Sequence, residues 1–313
     1  MTAATRRAPD TRWLVRPDGT RLHVRRDGPR DGPATVVLVH CYALDLRVWD
    51  PLCAALDGGP YGVVRVDLRG HGRSDAAGRA GVADLGDDLA ALLVEVVPDG
   101  PVVLVGHSLG GMAVMAMADR HPGLVAERVA GVALLATSSS GMGTLTLGLP
   151  GPVGAWARRV ERTGMAALAA TGAARLPCPG PVLGAITRWL GFGADPRPAD
   201  VAAVAAIAAV CRIGEVAGLR RSIDVHDCRA ALVTFDGLPT VVAVGDQDRI
   251  TPVRHAAVIA QWLPTARLTV YPGAGHMLPV ERSAEVARLV TGLVGEAVQI
   301  WTRREDDERR SMV

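Results

Sequence analysis

The run Val102-Val103-Leu104-Val105 leads without a break into Gly106-His107-Ser108-Leu109-Gly110-Gly111, and helical periodicity follows from Met112 to Arg120. A continuous β-branched and aliphatic run suits a strand covered on both faces, so a buried strand here must turn sharply and pass straight into a helix. Gly-x-Ser-x-Gly in that setting is the pattern of a nucleophile elbow, a strained turn that presents a serine hydroxyl. The glycines have a steric part in it: side chains at 106 and 110 would run into adjacent backbone, so Cβ must be absent. The helix behind Ser108 also aims the positive end of its dipole at developing negative charge. As a bare pattern these residues are a weak signal; their place between strand and helix makes them a strong one.

The rest of the chain fits a sheet built around that strand. Trp13 to Val15 and Leu22 to Val24 flank Asp18-Gly19, a hairpin signal, so the chain opens with antiparallel strands. Buried-strand runs then recur at Thr35 to Val39, Val63 to Val66, Val129 to Leu135, Val241 to Val244 and Leu268 to Val270, with helical periodicity between most of them, as at Leu85 to Val97. Strand and helix in alternation predict an α/β fold with a mostly parallel central sheet flanked by helices, whose ligands sit beyond the carboxyl ends of the strands. The alternation stops over residues 140–235, which are rich in Ala, Gly and Pro and carry amphipathic stretches at Trp156 to Ala170 and Ala199 to Cys211. This segment reads as an inserted helical cap. The expected organisation is thus a core in two parts, 12–139 and 236–300, a cap at 140–235, and a flexible, mixed-charge tail at 301–313.

Composition removes several functions. A formal net charge of +2 gives no electrostatic footprint for nucleic acid. The chain has no lysine and no asparagine, which excludes a P-loop, Schiff-base and pyridoxal-phosphate chemistry, and N-glycosylation. The five cysteines, Cys41, Cys53, Cys178, Cys211 and Cys228, are scattered and never form a C-x-x-C pair, so they read as reduced thiols rather than zinc ligands or disulfides. No clustered ligand spacing implies a metal, and no cofactor is expected. Residues 1–13 carry arginines without an apolar signal-peptide core behind them, and Val201 to Cys211 is too short to cross a bilayer, so a soluble cytoplasmic protein without a transmembrane segment is the expectation.

A serine hydroxyl becomes a useful nucleophile when an imidazole takes its proton and a carboxylate holds that imidazole in the right tautomer. Both groups lie downstream, in loops that follow strands. Asp246-Gln247-Asp248-Arg249-Ile250-Thr251-Pro252 follows Val241 to Gly245, and Tyr271-Pro272-Gly273-Ala274-Gly275-His276 follows Leu268 to Val270.

With these motifs in view, the chain resembles the α/β-hydrolase superfamily, near its capped esterase, lipase and cofactor-free perhydrolase branches, over residues 12 to 300. The elbow Gly106 to Gly110, the acid loop Gly245-x-x-Asp248-x-x-x-Pro252, the pair Gly275-His276 and the segment Asp67-Leu68-Arg69-Gly70-His71-Gly72-Arg73-Ser74 carry the likeness. The resemblance implies catalytic Ser108, Asp248 and His276, in the chain order of that fold, with Asp248 favoured over Asp246 by spacing. It implies oxyanion donors at the backbone N–H groups of Leu109, after the nucleophile, and of Tyr42, in Val39-His40-Cys41-Tyr42. Relatives commonly have glycine where this chain has Cys41, so Cys41 N–H is a second candidate. Cys41 itself reads as a small packing residue rather than a catalytic thiol. His40 and His71 read as structural, while His23, His121, His226 and His255 read as surface or packing residues.

Cys41, His107, Met112, Trp156 and Met277 are candidates for the substrate pocket. Trp49 has core packing as its default. Trp156, Trp189 and Phe192 either line an apolar acyl pocket or form the cap's own core. The leading functional expectation is a serine hydrolase that cleaves a small apolar ester or related acyl substrate through an acyl-enzyme. A perhydrolase or a C–C bond hydrolase would use the same triad, and a ligand receptor or scaffold of this fold is the non-enzymatic alternative.

Overall fold

Five of the aliphatic runs become strands in which every residue is buried. The computed structural model describes residues 10–76, 78–171, 178 and 180–311; most of the segment on which the signal-peptide reading rests, residues 1–9, lies outside them, as do 172–177 and 179 of the expected cap and 312–313 of the tail. The strands are β1 (Asp10–Val15), β2 (Arg21–Asp27), β3 (Thr35–Val39), β4 (Gly62–Val66), β5 (Val102–His107), β6 (Val129–Leu135), β7 (Thr240–Gly245) and β8 (Arg267–Tyr271). They form one sheet in the order β1-β2-β4-β3-β5-β6-β7-β8. All neighbours from β4 to β8 run parallel, while β1 and β2 make the expected hairpin and β2 joins β4 antiparallel. Gly19, at φ +84°, closes that hairpin, with Arg16 and Thr20 bonded across it.

The crossover from β3 goes to one side of the sheet, to β4, and the chain then returns to β5 on the other side of β3. Loops leaving β3 and β5 therefore part from each other, which opens a crevice at their carboxyl ends. Helices cover both faces. On one side α2 (Val82–Val96) and α3 (Leu109–Arg120) pack with the inward residues Val37, Val39, Leu104, Val132 and Leu134. On the other, α1 (Asp50–Leu56) and α12 (Ser283–Ser311) pack with Val36, Leu38, Val103, Val105 and Ala133. The remaining core helices are α4 (Pro122–Arg128), α10 (Val253–Trp262) and the short α11 (Leu278–Glu281).

The insertion between β6 and β7 is helical, with α5 (Gly151–Thr171), α6 (Gly180–Gly191), α7 (Pro198–Ala209), α8 (Ile213–Val216) and α9 (Leu219–Val225). Its two ends meet at a neck, where Ser140 bridges Asp227 and Cys228 N–H donates to Ser139 O at 2.9 Å. Residues 230–235, which the sequence reading assigned to the cap, lie beyond this neck as 3-10 turns packed on α3, because Leu232 and Phe235 are buried in the core cluster of that face. Inside the cap, Arg158 pairs with Glu161 and Asp224, and Arg220 reaches the same two carboxylates at 2.9 Å each, which ties α5 to α9.

Two expectations need correction. The run Leu268 to Val270 is an edge strand, with Leu268 40% and Val270 41% exposed, since among the described residues no strand pairs beyond β8. The tail expected to be flexible continues α12 to Ser311. Val286, Val290, Leu293, Val294 and Ala297 form its buried stripe, and past Trp301 the helix is carried by local pairs: Trp301 Nε1 donates to Glu305 at 2.7 Å, and Arg309 faces Glu305 and Asp306. Such exposed pairs contribute only a few tenths of a kcal/mol each. Among the described residues no single helix is long and apolar enough to cross a membrane.

Burial also sets the charge state of several histidines. It pushes His71 and His107 down to about 3 and His226 down to about 4. These folded-state values lie below the unfolded value of about 6.5, so the unfolded chain binds more protons at mildly acid pH and the contribution of these sites is lost as pH falls below that value. Stability measured by urea unfolding should therefore fall between about pH 6.5 and pH 4.5, and His226→Gln should reduce the slope by about 1.4 kcal/mol per pH unit, the effect of one proton. Ending the chain after Arg303 should change the unfolding free energy by no more than about 0.5 kcal/mol, while Leu293→Ala should cost about 2–5 kcal/mol.

Candidate active site

The elbow is as tight as its glycines require. Ser108 has φ +53° and ψ −113°, in the region that disfavours a residue with Cβ. A Cβ on Gly106 would lie 2.6 Å from the Gly111 backbone, and one on Gly110 would lie 2.0 Å from Val39 O at the end of β3. Hydrogen bonds hold the strained residue on both sides: Ser108 N–H donates to Leu135 O at 2.9 Å, and Thr137 Oγ1 donates to Ser108 O at 2.6 Å. The twelve-residue helix α3 begins at Leu109, so its N-terminus stands directly behind the serine.

The structure brings Asp248 and His276 together. His276 Nδ1 lies 2.8 Å from Asp248 Oδ2, with both side chains buried. Thr251 Oγ1 donates to the same oxygen at 2.8 Å, while Ile250 N–H and Thr251 N–H both donate to Asp248 Oδ1 at 2.8 Å. Burial on its own would raise this carboxyl, but the His276 imidazole and the Thr251 hydrogen bonds outweigh it and hold Asp248 below the ordinary carboxylate range. With Asp248 accepting at Nδ1–H, His276 is left with Nε2 as its free basic nitrogen. His107 brings that imidazole to the elbow: its Nε2 donates to His276 O at 2.8 Å, and the two rings lie 5.0 Å apart. Among the described residues Ser108 Oγ makes no hydrogen bond, to His276 Nε2 or to any other group. Asp246 stands outside this arrangement, exposed, and accepts from Gly273 N–H at 2.8 Å, which joins the acid loop to the histidine loop.

Tyr42 and Cys41 follow β3, across the crevice from the elbow. Neither the Tyr42 nor the Leu109 N–H donates a hydrogen bond among the described residues. Ala43, next to Tyr42, has φ +60°, and Tyr42 OH donates to Val216 O of the cap at 3.2 Å. The loop is fixed from beneath. His40 Nε2 accepts from Leu68 N–H at 3.0 Å, and its Nδ1 lies 2.8 Å from Cys41 O, an arrangement that sets a single neutral tautomer. Asp67 accepts from Leu46 N–H at 2.8 Å and Arg73 N–H at 3.0 Å and meets His23 Nδ1 at 2.8 Å. Gly72 makes room for that carboxylate, since a Cβ there would lie 2.4 Å from it. His71 donates through Nδ1 to Arg69 O at 3.0 Å, and its ring meets those of His40 and Tyr42. Cys41 is buried, which pushes its thiol up to about 12, far from the thiolate that nucleophilic attack would need.

The expected pocket residues separate. Cys41, His107, Met112 and Met277 are buried around the elbow and the histidine loop, whereas Trp156 is 66% exposed on α5 because that helix turns this face to solvent. Phe192 joins the core cluster with Met277 and Leu278 instead of a cap core, and Trp189 stacks under the Arg249 guanidinium at 4.3 Å. Trp49 is a buried core residue, edge-on to His107. A cavity of about 450 Å³ lies against Leu44, Leu46, Arg47, Arg73, Ile207 and Cys211 and is lined by none of Ser108, Asp248 and His276. Among the described residues no three His, Cys, Asp or Glu side chains gather as a metal ion would require.

Sequence reasoning missed Thr251, Thr137, Arg249 and Glu281. Thr251 had a readable signal, because an Asp that accepts from the N–H groups two and three residues on is a familiar turn pattern. Thr137 and Glu281 act on backbone atoms of distant segments, and nothing local marks them.

The sequence pattern of the α/β hydrolase fold matches residues 34–283. Lipase LipV of Mycobacterium tuberculosis is 43% identical over 108 residues, which is 34% of this chain and 40% of that protein, so the match spans under half of the lipase. The 3-oxoadipate enol-lactonase 1 of Acinetobacter baylyi is 25% identical over 88% of this chain and 94% of its own. Among solved structures, the enol-lactonase from Burkholderia xenovorans LB400 superposes with a TM-score of 0.69 at 26% identity, covering 91% of this chain and 100% of that one. By the matched region and by its sheet order, the chain belongs to the α/β-hydrolase fold family.

Proposed function

We propose that this chain is a serine hydrolase that cleaves a small, apolar carboxylic ester through an acyl-enzyme. The observation that carries the reading is the buried His276–Asp248 pair, 2.8 Å apart, with the His276 ring 5.0 Å from that of His107, the residue before a positive-φ serine at the head of a helix. In this scheme His276 Nε2 takes the proton as Ser108 Oγ attacks the carbonyl carbon, and Asp248 stabilises the imidazolium. The oxygen of the tetrahedral intermediate takes hydrogen bonds from Leu109 N–H and Tyr42 N–H, with Cys41 N–H as the alternative second donor. Collapse breaks the acyl–oxygen bond, and His276 returns the proton to the departing alkoxide. Water, deprotonated by the same nitrogen, then attacks the acyl-enzyme and releases the acid and Ser108. The likeness to a lipase and to enol-lactonases supports acyl–oxygen cleavage.

A fluorophosphonate probe should label the wild-type protein and leave Ser108→Ala unlabelled; absence of wild-type labelling, or equal labelling of the variant, would overturn the reading. Asp248→Asn should lower kcat by about 10³- to 10⁴-fold, through the wrong imidazole tautomer. In a panel of nitrophenyl esters, turnover should favour short to medium apolar acyl groups and decline toward long or charged ones. The same panel assayed with hydrogen peroxide separates the hydrolase from a perhydrolase, whose acyl transfer would accelerate.

A further inference from the structure

The histidine loop and the turn between α6 and α7 of the cap are joined backbone to backbone. Met277 N–H donates to Gly191 O at 2.8 Å and Ala194 N–H to Gly273 O at 3.3 Å. The segments touch so closely that a Cβ on Gly193 would lie 2.0 Å from Gly273 O, and one on Gly275 would lie 2.4 Å from Phe192 C. Glu281 spans this seam. Its Oε1 accepts from Gly275 N–H at 2.9 Å and its Oε2 from Gly193 N–H at 2.8 Å, so a single carboxylate grips the residue before His276 and the turn between α6 and α7 of the cap. From the opposite side Arg249, next to Asp248, donates to Trp189 O at 2.8 Å and to Phe192 O at 3.0 Å.

We infer that Glu281 is a positioning residue for His276, and that the cap segment from Trp189 to Gly193 is the fixed body against which it sets the imidazole; the inference rests on the serine-hydrolase reading above. Three backbone groups bracket the His276 ring: Gly275 N–H, His276 O and Met277 N–H. His107 holds the second, and the first and third are held by Glu281 and by the cap. Asp248 fixes the Nδ1 end of the ring, and the acid loop holds the histidine loop at Gly273 and Ala274, whereas Glu281 and the cap hold the residues on either side of His276. A displacement of about 1 Å between base and nucleophile costs about 100-fold in rate, so a clamp that acts only on loop backbone has a direct kinetic effect. Glutamate suits the task because both of its oxygens accept. Glutamine has the same shape, but it would turn an NH₂ toward one of the two N–H groups, and that donor would lose its partner.

The test is Glu281→Gln in the full chain, read by active-site titration and by the rate of fluorophosphonate labelling per titrated site, with kcat and KM on one nitrophenyl ester. The expected result is an undiminished titre, labelling and kcat lowered by about 10-fold or more, KM within about twofold, and a small change in Tm. An undiminished rate per titrated site, whether or not the titre falls, would assign Glu281 to stability alone and overturn the inference. If the glutamine variant does not fold, Glu281→Asp, which keeps the charge but is too short to span both amides, is read by the same criteria; failure of both to fold also overturns it. Wild-type protein that does not label would instead defeat the serine-hydrolase reading itself, a result distinct from either.

Discussion

The approach of the elbow to the end of β3 is the contact on which the site depends. With only 2.0 Å between Val39 O and the place a Gly110 Cβ would occupy, the first turn of α3 sits against the strand that carries the Tyr42 loop. That distance sets how far Ser108 lies from the amides across the crevice. It is possible only because two adjacent parallel strands send their chains in opposite directions at this edge, so that one loop can fold over the other's helix. The strain at Ser108 follows from the same constraint: the chain must leave β5 and enter α3 within one residue, and Leu135 at the end of β6 and Thr137 just beyond it hold the turn in place.

A rigid elbow needs equally rigid partners, and each is held by a different device. The Tyr42 loop rests on a carboxylate: Asp67 accepts two backbone N–H groups, and His40 presents a fixed lone pair to a third. The acid loop is wrapped around Asp248 itself, whose four contacts leave it no alternative position. The histidine loop is secured less by its own residues than by neighbours: Asp246 at Gly273, His107 at His276 O, and Glu281 with the turn between α6 and α7 of the cap. In such an arrangement the insertion is structural for the core as well as a cover for the crevice, and it also caps α2, where Ser222 Oγ accepts from Val82 N–H at 2.8 Å.

What the sequence made legible were features whose cause is local. A buried aliphatic run forms a strand wherever both its faces are covered, and glycines at 106 and 110 reveal a crowded turn before any partner is known. The acid and histidine loops could be found because each directly follows such a run. Features that depend on distant partners were not visible. Leu268 to Val270 has the composition of a central strand, yet it is an edge because no later segment pairs with it. Phe192 has no helical or strand pattern to place it, and its burial comes from Met277 and Leu278, about 85 residues further along. The mixed-charge end of α12 has the composition of a frayed tail, but a buried stripe upstream has already nucleated the helix, and extension from a formed end is far easier than initiation.

Burial explains how so many imidazoles can crowd one crevice without opposing each other. His40, His71 and His107 all lie near the elbow or the Tyr42 loop, and desolvation keeps each of them neutral at ordinary pH, at about 3 for the last two. Were His107 protonated, an imidazolium at His276 would meet like charge with the two rings 5.0 Å apart, at a cost of about 3 kcal/mol at an effective dielectric of about 20. Held neutral, the three histidines act as oriented dipoles and spacers, and among the described residues Asp248 is the one ion paired with His276. In the reaction proposed above, the ion pair formed as Ser108 gives its proton to His276 would meet a carboxylate on its positive side and a helix N-terminus on its negative side. Both are set before substrate arrives, so little reorganisation opposes the charge separation.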